Sequence, residues 1–242
     1  MKPEDLKRPF QWDERRPLLQ DGVFYVPERI ENYHTFSLPG WEDPLLFGNI
    51  NPVKVEYCSG NGTWIANCSI KDPSTNWVAV EKRFDRVRKI WSKKNNLKLQ
   101  NLIAISGVGY TVSKHYFKSE SIDEIFINFP DPWPKKRHAK NRIIQPYFIE
   151  EMWRTLKPQG LVTIVTDDED YSTIIIEEMN KFSGFSSQFS APYYKTDLPG
   201  YGTSYFEELW RSKGKQIRYH QFLKKDPTYG CSCSKTSHFF YI

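Results

Sequence analysis

SIDEIFINFPDPWPKKRHAKNR, residues Ser121 to Arg142, is the stretch that decides the fold. Ile122 to Phe129 is an apolar run rich in β-branched and aromatic residues, and it reads as a buried strand. The run stops at Pro130-Asp131-Pro132-Trp133-Pro134. Prolines lack a backbone donor and have a fixed φ, so three in five residues neither continue a ladder nor enter a helix interior. The turn therefore holds one carboxylate, Asp131, and one indole, Trp133, at the carboxyl end of a strand. Six basic residues follow within eight positions: Lys135, Lys136, Arg137, His138, Lys140 and Arg142. Taken singly, a proline-flanked Asp is a turn former and a Lys/Arg run is a solvated face. Together, a rigid acidic tip beside a dense positive patch points to a small site next to a phosphate-binding surface.

Outward from this stretch, strand and helix patterns alternate. Val53 to Tyr57 alternates like a strand, Ser59-Gly60-Asn61-Gly62 makes a tight turn, and Thr63 to Ile70 starts a helix. Glycines here remove Cβ atoms, so a ligand can lie on the backbone beside the helix N-terminus. Asn76 to Val80 is a second strand, ending at Glu81, 21 residues after Gly60. An acidic residue there accepts hydrogen bonds from ribose hydroxyls, which argues for a nucleoside cofactor and leaves NAD and S-adenosylmethionine open. Lys82 to Lys98 reads as a basic helix whose buried stripe is Phe84, Val87, Ile90 and Trp91. Leu102 to Ile105 is a third strand, followed by the loop Ser106-Gly107-Val108-Gly109. After the central stretch come a helix, Ile143 to Leu156, with Tyr147, Phe148, Met152 and Leu156 inward, and a turn at Pro158-Gln159-Gly160. A strand, Leu161 to Thr166, a helix, Tyr171 to Phe182, and two strands, Phe185 to Phe189 and Lys215 to Leu223, complete the pattern. The alternation predicts an α/β fold with a doubly wound, mostly parallel sheet. Glu56, Glu81, Val108, Asp131 and Asp167 then line one edge of it.

The run FPDPWPKKRHAKNR closely resembles the signature of the tRNA (guanine-N7-)-methyltransferases, the TrmB family, and the resemblance extends over roughly residues 50–220. It implies a Rossmann-like methyltransferase fold and S-adenosylmethionine as the cofactor. It implies Glu56, Gly60, Gly62, Glu81, Val108 and Asp131 as the residues around that cofactor. Cys58 stands where the family's glycine pattern begins, and Val108 where the family usually has an Asp that contacts adenine. The resemblance further implies Asp131 as the catalytic carboxylate and Lys135, Asp167, Thr203 and Glu207 as substrate-binding, with Glu207 one residue beyond the usual spacing. Arg137, His138, Lys140 and Arg142 would contact RNA. The implied reaction is methyl transfer to N7 of a guanine in the tRNA variable loop. Two other readings are an amino-methyltransferase acting on an exocyclic nitrogen, whose motif generally runs Asp/Asn-Pro-Pro-aromatic, and a non-catalytic RNA-binding protein of this fold.

Composition bounds the rest. A chain of 242 residues, 39% hydrophobic and 16% aromatic, folds around a sizeable core and is no disordered tail. The net charge, 34 − 29 = +5, is modest, but its basic residues cluster at 82–98, 135–142 and 211–225, which favours an anionic partner. Cys231-Ser-Cys233 is not zinc spacing, and no metal is expected. No apolar run approaches membrane-spanning length, and the N-terminus has no signal-like apolar segment. The expectation is a cytoplasmic protein with free thiols, monomeric or homodimeric. Residues 1–50 are expected as an extension packed on the domain in irregular pieces, residues 51–223 as the methyltransferase domain and residues 224–242 as a tail.

Overall fold

Nine strands form one sheet in the order β1-β2-β5-β4-β3-β6-β7-β9-β8 among the described residues. The computed structural model describes residues 1–202 and 204–225. The central strands are β3 (Val53–Tyr57), β4 (Asn76–Glu81), β5 (Leu102–Ser106), β6 (Ile122–Asn128) and β7 (Leu156–Thr166). All pair in parallel, with Glu56 beside Ala79 on one side and Phe126 on the other. Helices α1 (Thr63–Lys71), α2 (Phe84–Asn96), α3 (Gly109–Tyr116), α4 (Pro146–Thr155) and α5 (Glu169–Lys181) connect them. Then come β8 (Phe185–Ser187), α6 (Tyr205–Ser212) and β9 (Arg218–Lys224), with β9 antiparallel to both β7 and β8.

Alternation along the strands builds two cores, one on each face of the sheet. Val53, Val55 and Tyr57 join Ile125, Ile127, Phe148 and Met152 on one face. Trp77, Phe126, Trp64, Val87, Ile90 and Trp91 fill the other. A side-chain period of two makes this unavoidable once both faces are covered. The predicted stripe of α2 is buried throughout, with Val87 and Ile90 fully enclosed.

The structure differs from expectation in several places: Gly109–Tyr116 is a helix where the sequence reading named none, and Lys224, expected in the tail, ends β9. The N-terminal extension is not only irregular pieces: β1 (Leu18–Gln20) and β2 (Val23–Tyr25) form a hairpin, and β2 extends the sheet beside β5. Its turn is Asp21-Gly22, both at positive φ, a pair of residues well suited to a two-residue hairpin loop. Strands of three residues are too short to show a period, and their partner lies about eighty positions away. In α4, Tyr147 is 46% exposed and packs edge-on against Tyr110, because it lies about 100° around the helix from Phe148. The segment Leu156 to Gly160 belongs to β7, which carries a register irregularity opposite Ile122 and Glu124.

Candidate active site

The sheet order reverses between β3 and β6, and in open α/β sheets ligands bind outside the strand ends at such a point. At the end of β3 the chain turns through Cys58, Gly60 and Gly62, all in the left-handed region with φ of 58°, 54° and 72°. Gly62 has no alternative: a Cβ there would come within 2.6 Å of the Ile90 side chain. Cys58 takes the same conformation with a side chain, at a cost of about 1–2 kcal/mol. The residue is exposed, with protein atoms crowded around the thiol. Loss of hydration there, followed by the negative charges of Glu81 and Asp131, pushes its thiol up to about 12. Those two carboxylates therefore lie near Cys58.

Glu81 braces the turn. Its carboxylate accepts from the Gly60 amide at 2.9 Å and from the Arg83 amide at 2.8 Å. Burial raises its pKa, opposed by those two amides. Glu56 is 2% exposed. One of its carboxylate oxygens accepts from Asn128 Nδ2 at 2.8 Å, and the other, Oε2, has no partner among the described residues. Burial pushes Glu56 up to about 7, with the Asn128 bond opposing the shift. A buried carboxylate oxygen left without a donor is costly, and it marks where a cationic or N–H-bearing ligand group would be stabilised.

Asp131 stands on a strained loop across the switch point. Phe129 and Trp133 flank it at φ of 48° and 45°, a left-handed conformation that bulky residues avoid. Each costs on the order of 1–3 kcal/mol. Arg142 helps to hold the loop in place, since its guanidinium donates to the carbonyls of Pro132 at 2.9 Å and Trp133 at 3.0 Å. The Phe129 amide donates to the Val165 carbonyl at 2.8 Å. Asp131 is exposed, and its carboxylate has no hydrogen bond or ion pair among the described residues. Trp133 packs edge-on against His138 at 5.6 Å and walls the loop.

The basic run forms a 3-10 helix, Lys136–Asn141. Lys135, Lys136, Arg137 and Lys140 are exposed without an ion-pair partner among the described residues, while His138 is half-buried against Trp133. The Arg142 side chain, half-buried, is engaged by the loop carbonyls through Nε and one terminal nitrogen. Asp167 is ion-paired with Lys215 at 3.0 Å. Glu207 is 4% exposed, and its Oε1 accepts from Arg211 at 2.9 Å and from the Tyr219 hydroxyl at 2.6 Å. Through Oε1 it ties α6 to β9. Thr203 lies outside the described residues. Val108 caps α3 at φ of −76° and is half-buried beside Gly107.

Two site residues went unrecognised in the sequence. Asn128 bridges Glu56 and the hydroxyl of Tyr201, which donates to Asn128 Oδ1 at 2.7 Å. A polar residue closing an otherwise apolar strand, and a tyrosine between two glycines, were the available signals.

The model of a family described as "Putative methyltransferase" matches residues 50–219. The tRNA (guanine-N(7)-)-methyltransferase of Chlamydia trachomatis serovar D is 46% identical over 225 residues, 93% of this chain and 99% of that protein. The protein of the same name from Rubrobacter xylanophilus is 29% identical, covering 79% of this chain and 86% of its own length. Among solved structures, the 16S rRNA methyltransferase KamB aligns with 74% of this chain and 91% of its own at a TM-score of 0.55 and 12% identity. A SAM-dependent methyltransferase from Aquifex aeolicus aligns with 73% of this chain and 85% of its own at 0.51 and 12%. The shared fold, the glycine turn at the switch point and identity approaching half over nearly the whole chain agree: the chain belongs to the tRNA (guanine-N7-)-methyltransferase family.

Proposed function

We propose that this chain transfers a methyl group from S-adenosylmethionine to N7 of a guanine in the variable loop of tRNA. The observation that carries the reading is Asp131, a carboxylate without a partner among the described residues, held at the switch point on a loop strained at both ends and pinned by Arg142. The residues present fit the cofactor. The turn at 58–62 passes through three left-handed positions at the carboxyl end of β3, and the buried Oε2 of Glu56 lacks a donor among the described residues. Glu56, Gly60 and Gly62 would hold the methionine part, Glu81 the ribose, and the Val108 backbone and side chain the adenine. When bound, S-adenosylmethionine supplies a sulfonium-activated methyl group.

Guanine N7 offers an in-plane lone pair and carries no proton. The protein therefore needs no general base for the attack; it needs alignment and close approach. The methylated ring carries positive charge, and the fixed Asp131 carboxylate stabilises that charge as it develops, without reorganising at the moment of reaction. The same carboxylate accepts from the guanine N1–H and amino group and so orients the base. Lys135 and the exposed cations of the 3-10 helix hold phosphates, which makes binding strongly salt-dependent. RNA shape then decides which guanine enters. No described helix is long and apolar enough to cross a membrane, and a tRNA-modifying role supports a place in the cytoplasm.

Methyl transfer from labelled S-adenosylmethionine to unmodified tRNA transcripts tests the proposal. Transfer should require a guanine in the variable loop and should create a site of reductive chain cleavage. Equal transfer without that guanine would overturn the position, and label on an exocyclic nitrogen would overturn the chemistry.

A further inference from the structure

The N-terminal extension builds a cleft beside the adenosine end of the proposed cofactor site: Lys82, which follows Glu81, and Ser106 and Gly107, which precede Val108, belong to its lining. It encloses about 310 Å³ and is lined by Arg8, Phe10, Trp12, Arg15, Arg29 and Lys82, among others. It lies at the carboxyl ends of β2, β4 and β5, on the same edge of the sheet as Asp131. With neighbouring strands about 4.8 Å apart, the end of β5 stands roughly 14 Å from that of β6. The segment that builds the cleft is anchored. Leu6 is buried, its carbonyl accepts from Arg88 Nε at 2.9 Å, and Ser92 donates to the Met1 carbonyl at 2.7 Å.

Four cations line this cleft, and Glu28 is the one carboxylate among its lining residues. None of the four forms an ion pair among the described residues. Trp12 is 77% exposed, an unusual position for an indole, and the Arg15 guanidinium lies 3.5 Å from its ring centre. Arg15 also donates to the carbonyls of Trp12 and Glu28, which fixes the pair. Cations that follow a phosphate backbone, combined with an aromatic face on which a base stacks, are the physical basis of single-stranded nucleic-acid binding. The adenosine of S-adenosylmethionine carries no phosphate and has no use for four cations.

We propose that this cleft binds an unpaired nucleotide of the substrate RNA, with its base on Trp12 and its phosphates on Arg8, Arg29 and Lys82. The inference rests on the reading that tRNA is the substrate. It adds a second RNA anchor, on the opposite side of the cofactor cleft from Lys135, so that the strand spans the edge of the sheet.

The test compares full-length Trp12→Ala and Arg8→Gln/Arg29→Gln with the unaltered chain. It measures Kd for an unmodified tRNA transcript across a salt series, alongside Kd for S-adenosylhomocysteine. Trp12→Ala should weaken tRNA binding about tenfold. The double variant should weaken it and reduce the salt slope by about 1–2. Binding of S-adenosylhomocysteine should stay within twofold for both. Unchanged tRNA affinity and slope would overturn the proposal. Weakened S-adenosylhomocysteine binding with intact tRNA binding would reassign the cleft to the cofactor. Methyl transfer by the unaltered chain to the same transcript, measured in parallel, tests the substrate reading separately.

Discussion

Glu56→Gln should make the protein more stable above neutral pH while impairing methyl transfer. Glu56 is buried, and burial lifts its pKa from 4.5 to about 7. The unfolded chain releases this proton near 4.5, whereas the folded chain keeps it until about 7. Stability therefore falls as pH rises between those values, and the loss is complete above the upper one. A shift of this size corresponds to about 3 kcal/mol, an upper value because water and relaxation soften such penalties. Gln is a close mimic of the protonated acid: one oxygen still accepts from Asn128 Nδ2, and an N–H group takes the position of the unpartnered Oε2. At pH 8.5 the variant should gain up to about 3 kcal/mol, or roughly 6–12 °C in Tm for a chain of this length. At pH 5 the gap should have shrunk to about 1 kcal/mol, and it should close only below about pH 4. Other titrating groups, including His220, which burial drives down to about 4, are common to both and cancel in the difference. Urea unfolding followed by circular dichroism at pH 5, 6.5 and 8.5 measures the gap. A gap that does not change with pH would refute the reasoning, because only an ionisation confined by burial predicts its growth. Binding of S-adenosylmethionine should weaken in the same variant at pH 8.5, where the charged Oε2 is lost.

Asp131→Asn should lower the single-turnover methylation rate at least about a hundredfold, as expected for a preorganised electrostatic group, with tRNA Kd nearly unchanged; an unaltered rate would remove Asp131 from the chemistry. Cys58→Gly should raise stability by up to about 1 kcal/mol in urea unfolding, since relief of left-handed strain exceeds the added chain entropy; a loss would show that the thiol's contacts outweigh the strain. Arg142→Lys keeps the charge but not the planar fork, so kcat should fall about tenfold while the salt slope of tRNA binding holds; a reduced slope with normal kcat would mean that Arg142 contacts phosphate.

What the sequence determined by itself was everything set by local periodicity and stereochemistry. The alternation of strand and helix required a doubly wound sheet, and strand ends at Glu56, Glu81, Val108, Asp131 and Asp167 required a shared edge. Pro130 and Pro132 required a turn at Asp131 whatever surrounded it, because proline restricts the backbone on both sides. Tertiary structure decided which polar groups remain available. Arg142 and Lys140 are alike as members of a basic run, yet one reaches back to two loop carbonyls and the other faces solvent. The pairing of Glu207 with Arg211 is an i,i+4 contact within α6 that spacing could have shown, whereas its bond from Tyr219 needs α6 and β9 brought together, which spacing along the chain does not encode. The partners of Glu56 lie 72 residues away at Asn128 and, through it, at Tyr201, so its missing donor appears only once β6 is paired beside β3. The hairpin of residues 18–25 gains its place from β5, which supplies the ladder that three-residue strands cannot stabilise alone. Local chemistry thus set the elements and the acidic tip, and long-range pairing set which charges are free to meet a ligand.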